Sequence, residues 1–150
     1  MTLNDFLAEW NDPSPLLRVH TSGSTGVPKE LWVEKQRMLN SARITCDFLG
    51  LQPGQTALLC MPLDFIAGKM MVVRSVERVL RLLTVEPSSH PLAQLTEAPD
   101  FVAMVPLQVI RSLQVPREAA LLRQVKQLII GGGAIDDSLQ QALLTFPNAV

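Results

Sequence analysis

The chain has 150 residues, 47% of them apolar and 18% charged, and a formal net charge of −1. That balance excludes a disordered chain and suits a globular domain. A nucleic-acid binder would carry a basic excess or a basic stripe, and the sequence has neither.

A chain of this size buries roughly 68–70% of its unfolded surface, so one compact unit is expected. No stretch approaches the about 20 apolar residues needed to cross a bilayer. Met1 to Trp10 carry Asp5 and Glu9 where a secretory leader would be basic and then apolar. Cys46 and Cys60 lie in apolar segments and are expected to be buried, reduced thiols. Together these features predict a cytoplasmic protein.

Leu16 to His20 reads as a short strand after Pro13 and Pro15, and a Ser/Thr/Gly run follows it. Glu30 to Glu34 alternates polar and apolar residues, as a half-buried strand does. Lys35 to Leu49 places Met38, Ala42, Cys46 and Leu49 at helical spacing, with Gly50 as its C-terminal cap. Pro53-Gly54 marks a turn, Thr56 to Met61 a buried strand and Pro62 to Gly68 a loop. A helix is predicted over Lys69 to Leu80, with Met70, Val73, Val76 and Leu80 on one side. Strands follow at Leu82 to Val85 and Phe101 to Val105, then helices at Leu107 to Leu113 and Arg117 to Gln124. Gln127 to Ile130 is a strand running into Gly131-Gly132-Gly133. Asp136 or Asp137 caps a last helix reaching about Phe146, and Asp137 with Gln140 resembles a capping box. Strands alternating with helices predict an α/β fold, a mostly parallel sheet with helices on both faces.

Thr21-Ser22-Gly23-Ser24-Thr25-Gly26-Val27-Pro28-Lys29 is the most informative stretch. Gly23 and Gly26 let the backbone turn sharply and approach a ligand closely. Successive N–H groups in such a loop form an anion-binding concavity. Thr21, Ser22, Ser24 and Thr25 add hydroxyl donors, Lys29 a mobile charge suited to phosphate, and Pro28 stiffens the exit. The spacing excludes the Walker loop, in which lysine directly follows the second glycine and opens a helix. Ser/Gly runs also occur as flexible linkers, but this one is short and pinned between two apolar strands.

The stretch resembles the signature loop of the adenylate-forming superfamily, in its acyl-CoA synthetase branch. The resemblance implies that Thr21, Ser22, Gly23, Ser24, Thr25, Gly26 and Lys29 bind the β- and γ-phosphates of ATP, with Lys29 the catalytic residue. Glu30 stands where that family usually has glycine. Met61 to Gly68 is similar to the family's next landmark, with Phe65 where many acyl-CoA ligases carry histidine. Gly131, Gly132, Gly133 and Ala134 resemble the turn that lines the acyl pocket, and three glycines after a buried strand permit close ligand approach. Within the branch, Pro62 to Met71, Val85 to Ser89 and Gly131 to Ile135 resemble the o-succinylbenzoate–CoA ligases of menaquinone biosynthesis.

This resemblance implies a two-step reaction. A carboxylate attacks the α-phosphorus of MgATP and releases pyrophosphate, then the thiol of coenzyme A displaces AMP. The partners implied are a small carboxylic acid, ATP and coenzyme A, with no nucleic acid or membrane. A Tyr-Gly-x-Thr-Glu segment, a ribose-binding Asp motif and a C-terminal lysine domain are not found. The chain is therefore expected to be a partial N-terminal domain, 1–150, inactive alone, with the Mg2+ ligand outside it. An exposed sheet edge would leave room for a homodimer. The alternative reading is a non-catalytic nucleotide- or partner-binding module on the same partial fold. No His/Cys cluster has metal-ligand spacing, so no metal site is expected in the chain itself. His20 is expected to be structural and His90 solvated. Lys69 and Arg74 read as a charged helix face that could also attract an acidic substrate.

Overall fold

The computed structural model describes residues 1–21 and 26–150. The chain packs as two compact units: Met1–Gly54 with Met61–Leu80, and Gln55–Cys60 with Arg81–Val150.

The first unit contains α1 (Leu3–Asn11), β1 (Leu16–Thr21), β2 (Lys29–Glu34), α2 (Lys35–Phe48) and α3 (Ile66–Arg78). The first ten residues carry no strong helical pattern in sequence, yet α1 has a reciprocal cap. Asp5 N–H donates to Thr2 Oγ1, and Thr2 N–H to the Asp5 carboxylate. Phe6 is fully buried and meets Trp10 with ring centroids 6.2 Å apart. Strands β1 and β2 form an antiparallel hairpin in which Leu16 faces Glu34 and Thr21 faces Lys29. Leu17 and Val19 point inward from β1. The half-buried β2 expected from its alternation is mostly exposed: Leu31 is 47% and Trp32 63% accessible.

Helix α2 buries Met38, Ala42 and Cys46 as its spacing predicts. It ends in a Schellman pattern, with Leu51 N–H on Cys46 O, Gly50 N–H on Asp47 O, and Gly50 at φ +64°. Helix α3 starts at Ile66, before the predicted Lys69, so Gly68 lies inside its first turn. Val76, assigned to the buried side, is 46% exposed, whereas Met71 and Val72 are buried. α3 is capped by Val79, which is left-handed at φ +56° although β-branched. Arg78 anchors this end through Leu51 O and an ion pair with Asp47.

The second unit contains β3 (Thr56–Leu59), β4 (Arg81–Thr84), β5 (Phe101–Met104), α4 (Pro106–Leu113), α5 (Pro116–Gln124), β6 (Gln127–Ile130) and α6 (Asp137–Leu143). Its sheet is parallel throughout, in the order β4-β3-β5-β6. β5 is buried at every position, as the continuous apolar run of a parallel strand requires. The core joins Leu58, Val102, Met104 and Leu128 of the sheet to Val109, Leu122 and Leu139 of the helices. Asn148–Val150 extend the sheet beside β6 through Leu128 and Ile130. α6 ends at Leu143, short of Phe146, and Asp136 is its cap through Leu139 N–H. The Asp137–Gln140 box is not formed, because Asp136 already occupies the extended position before the helix. Both cysteines are free and buried. Burial pushes the Cys60 thiol up to about 12.

Asp100 gathers the amino ends of three strands. It accepts from Thr56 N–H at 2.8 Å and Thr56 Oγ1 at 3.2 Å, and pairs with Lys126 at 3.1 Å. Burial raises its pKa, but the Thr56 amide and Lys126 outweigh burial and hold it below the usual value. The lowered folded pKa contributes stability above the unfolded value of about 3.9, lost as pH falls through the folded one. Acid titration monitored by circular dichroism should therefore show the wild type losing stability below about pH 4, with the loss reduced in Asp100→Asn. Val79→Gly should raise stability in urea by about 1 kcal/mol, since it relieves a left-handed side chain that is 70% exposed.

Candidate functional site

The hairpin of the first unit carries the stretch singled out as a phosphate loop. Thr21 and Lys29 are its last paired residues, so the chain leaves and re-enters the hairpin at one point. Ser22, Gly23, Ser24 and Thr25 lie outside the described residues. Gly26 has φ +80°, and among the described residues nothing lies within 4 Å of where a Cβ would stand. Lys29 is exposed and forms no ion pair among the described residues, so its ammonium is available to an anion. Glu30 lies 3.4 Å from His20 Nε2 and 3.9 Å from Arg18 NH1. His20 thus has a carboxylate partner within the hairpin, consistent with a structural histidine.

The 61–68 segment abuts the hairpin's inner end, where Phe65 and His20 form a parallel β-bridge. The turn closes through Phe65 N–H on Pro62 O, and α3 begins with Lys69 N–H on Phe65 O. A Cβ on Gly68 would stand 2.3 Å from Pro62 O, so only glycine lets the helix approach this turn. Lys69 and Arg74 are not the charged helix face expected of them. Lys69 is 2% exposed, and its Nζ donates to Leu63 O at 2.7 Å. Burial lowers its pKa. Arg74 is also lowered by burial, and its Nε has no hydrogen-bond partner among the described residues.

In the second unit the glycine turn sits at the carboxyl ends of β5 and β6. Gly131 N–H donates to Met104 O at 3.1 Å. Gly132 is left-handed at φ +77°, and a Cβ there would meet Val105 at 3.4 Å. A Cβ on Gly133 would stand 3.3 Å from Pro106. Gly131 to Ala134 are exposed. The chain therefore runs close over Val105-Pro106 with its backbone open to solvent. Ile130, Ile135, Leu143, Leu144 and Val150 line an adjoining apolar groove of about 330 Å³. β3 and β5 are neighbours whose connections leave in opposite directions along the sheet. Ligands of open α/β sheets bind outside the carboxyl ends at such a switch.

Gln108 organises these ends, a role the sequence did not signal. Its Nε2 donates to Cys60 O at 3.1 Å and Ser88 O at 3.0 Å, and its Oε1 accepts from Val105 N–H. His90, expected to be solvated, places Nδ1 3.1 Å from the buried Glu118. No group of three His, Cys, Asp or Glu could hold a metal among the described residues. No described helix is long and apolar enough to cross a membrane.

The parallel four-stranded sheet flanked by helices, with a glycine turn at its carboxyl ends, defines an α/β protein. Residues 5–149 match the model of the AMP-binding enzyme family, and the chain belongs to that family. It is 31% identical over 137 residues to a probable 2-succinylbenzoate–CoA ligase of Mycobacterium tuberculosis, covering 85% of this chain and 35% of that protein. Its fold matches an acyl-CoA synthetase (AMP-forming)/AMP-acid ligase II-like protein of Dyadobacter fermentans with a TM-score of 0.88 and 34% identity, over 96% of this chain and 41% of that one. It also matches E. coli MenE bound to a phenylether-linked analogue of OSB-AMS, with a TM-score of 0.65 and 26% identity, over 89% of this chain and 28% of that one. The chain spans about a third of the length of the curated relatives it matches.

Gly68→Ala should destabilise the first unit by about 1–3 kcal/mol, because the added methyl overpacks against backbone that cannot rotate away. Urea unfolding followed by Trp10 and Trp32 fluorescence reads this loss.

Proposed function

We propose that this chain is the phosphate-binding part of an AMP-forming acid–CoA ligase whose acid is o-succinylbenzoate or a similar aromatic dicarboxylate, in menaquinone biosynthesis. Residues 1–150 then form a partial N-terminal adenylation domain. The observation that carries the reading is the hairpin mouth, where Lys29, with no ion pair among the described residues, pairs with Thr21 as the last register of the hairpin and Gly26 is left-handed. The residues fit a polyphosphate: hydroxyls at Thr21, Ser22, Ser24 and Thr25, close backbone approach at Gly23 and Gly26, and one mobile cation at Lys29.

ATP would supply the adenylyl group that activates the acid, with Mg2+ as the metal that the family resemblance implies. Coenzyme A then takes the acyl group. The chain's own part is to fix the phosphates and offset the charge developing on departing pyrophosphate, the kind of positioning and electrostatic work that dominates phosphoryl chemistry. Gly131, Gly132, Gly133 and Ala134 are assigned to the acyl group, which their exposed backbone can approach. The succinylbenzoate ligase relative and the MenE complex support the choice of acid.

The test is pyrophosphate release by the whole protein with ATP, Mg2+ and a panel of acids. Release with o-succinylbenzoate is expected, and Lys29→Ala should lower kcat/KM by about 10²–10³-fold, as losing a charge-stabilising donor does elsewhere. Release with another acid only would replace the substrate. Silence across the panel with ATP still bound would favour a nucleotide-binding module that does not ligate.

A further inference from the structure

Lys69 is a buried charge that the proposed chemistry leaves unused. Its Nζ touches Leu63 O at 2.7 Å and Met1 Sδ at 3.1 Å, and lies 5.3 Å from the Phe6 ring centroid. No carboxylate stands within ion-pair distance of it among the described residues. An ammonium so placed is costly to bury unless strong hydrogen bonds offset the lost hydration. Its strongest bond is to a backbone carbonyl in the 62–65 turn, and that turn is also where Gly68 permits backbone contact. The residue closing the turn, Phe65, forms the β-bridge with His20, which immediately precedes Thr21. A continuous path of backbone contacts therefore leads from the Lys69 ammonium to the first residue of the phosphate loop.

We propose that Lys69 is a positioning residue for the phosphate loop: by gripping Leu63 O it fixes Phe65 against His20 and so sets where Thr21 enters the loop. This rests on the phosphate-binding reading of the hairpin. Lys69 touches no substrate. Met1 and Phe6 complete its surroundings, so α1 contributes to the same anchor.

The experiment compares Lys69→Met, which keeps the apolar length and removes the donor, with Lys69→Arg, which restores a cation on the same carbonyl. Both are read in the whole protein by amide hydrogen exchange and by calorimetric ATP affinity. Lys69→Met should speed exchange at His20, Thr21 and Phe65, and weaken ATP binding, by about tenfold, the worth of a charge-assisted hydrogen bond. Exchange in Met38–Cys46 of α2 should stay unchanged, and Lys69→Arg should recover most of both effects. Unchanged exchange at His20 and Thr21, or a loss spread equally through α2, would overturn the proposal. If Lys69→Met does not fold, Lys69→Gln, whose shorter neutral amide cannot reach Leu63 O, takes its place with the same expected pattern. Lys29→Ala run beside them separates the two ideas. Unchanged ATP affinity in Lys29→Ala removes the phosphate-binding reading, while exchange at His20 and Thr21 still decides the role of Lys69.

Discussion

The amide of Gln108 is the interaction on which the glycine turn depends. Four short parallel strands end in backbone groups that no further strand residue can satisfy, and buried groups of that kind must find partners. Gln108 meets three at once, on Cys60, Ser88 and Val105, from the first turn of α4. Its position follows from Pro106, which opens α4 directly after β5. With the β5 end fixed, Val105 and Pro106 present the surface over which Gly132 and Gly133 pass. Asp100 does the corresponding work at the amino ends, through Thr56 and Lys126. The sheet is thus tied by side chains at both rims, leaving the backbone of the glycine turn open.

The first unit solves a related problem with a glycine and a lysine in succession. Gly68 removes the Cβ that would strike Pro62 O, and Lys69 supplies the cation that the neighbouring Leu63 O accepts. Without Gly68 the helix would be pushed away, and without Lys69 a carbonyl in a buried setting would lose a charge-assisted bond. The seated turn carries Phe65 to His20.

Much of this was legible in the sequence. Met38, Ala42 and Cys46 announced α2, Gly50 its end, and the apolar run from Phe101 a buried parallel strand. The family was legible in the loop from Thr21 to Lys29, where residue types and spacing are both restrictive. Other features resisted reading for physical reasons. α1 is short, and its cap pairs Thr2 with Asp5 rather than with the Glu or Gln that usually marks such a box. α3 hides its start because glycine, a poor helix former, is retained there for close approach rather than for propensity. Lys69 looked like a surface charge because periodicity reports only which side of a helix a residue lies on. It says nothing of a carbonyl from another segment waiting inside. Gln108, Asp100 and the His90–Glu118 pair depend on partners distant in sequence, which no local pattern encodes.

Glu30, the one departure from the family pattern in this stretch, is separated from Lys29 by the pleat of β2. A carboxylate next to Lys29 in sequence could pair with its ammonium. Successive side chains of a strand, however, point to opposite faces. Glu30 pairs across the hairpin with His20, and its carboxylate lies near His20 and Arg18. Lys29 pairs with Thr21 on the alternate face. The pleat that makes the two residues neighbours in the chain thereby separates their charges. The Glu30 carboxylate thus lies beside the β1 side chains of Arg18 and His20, on the face opposite to Lys29.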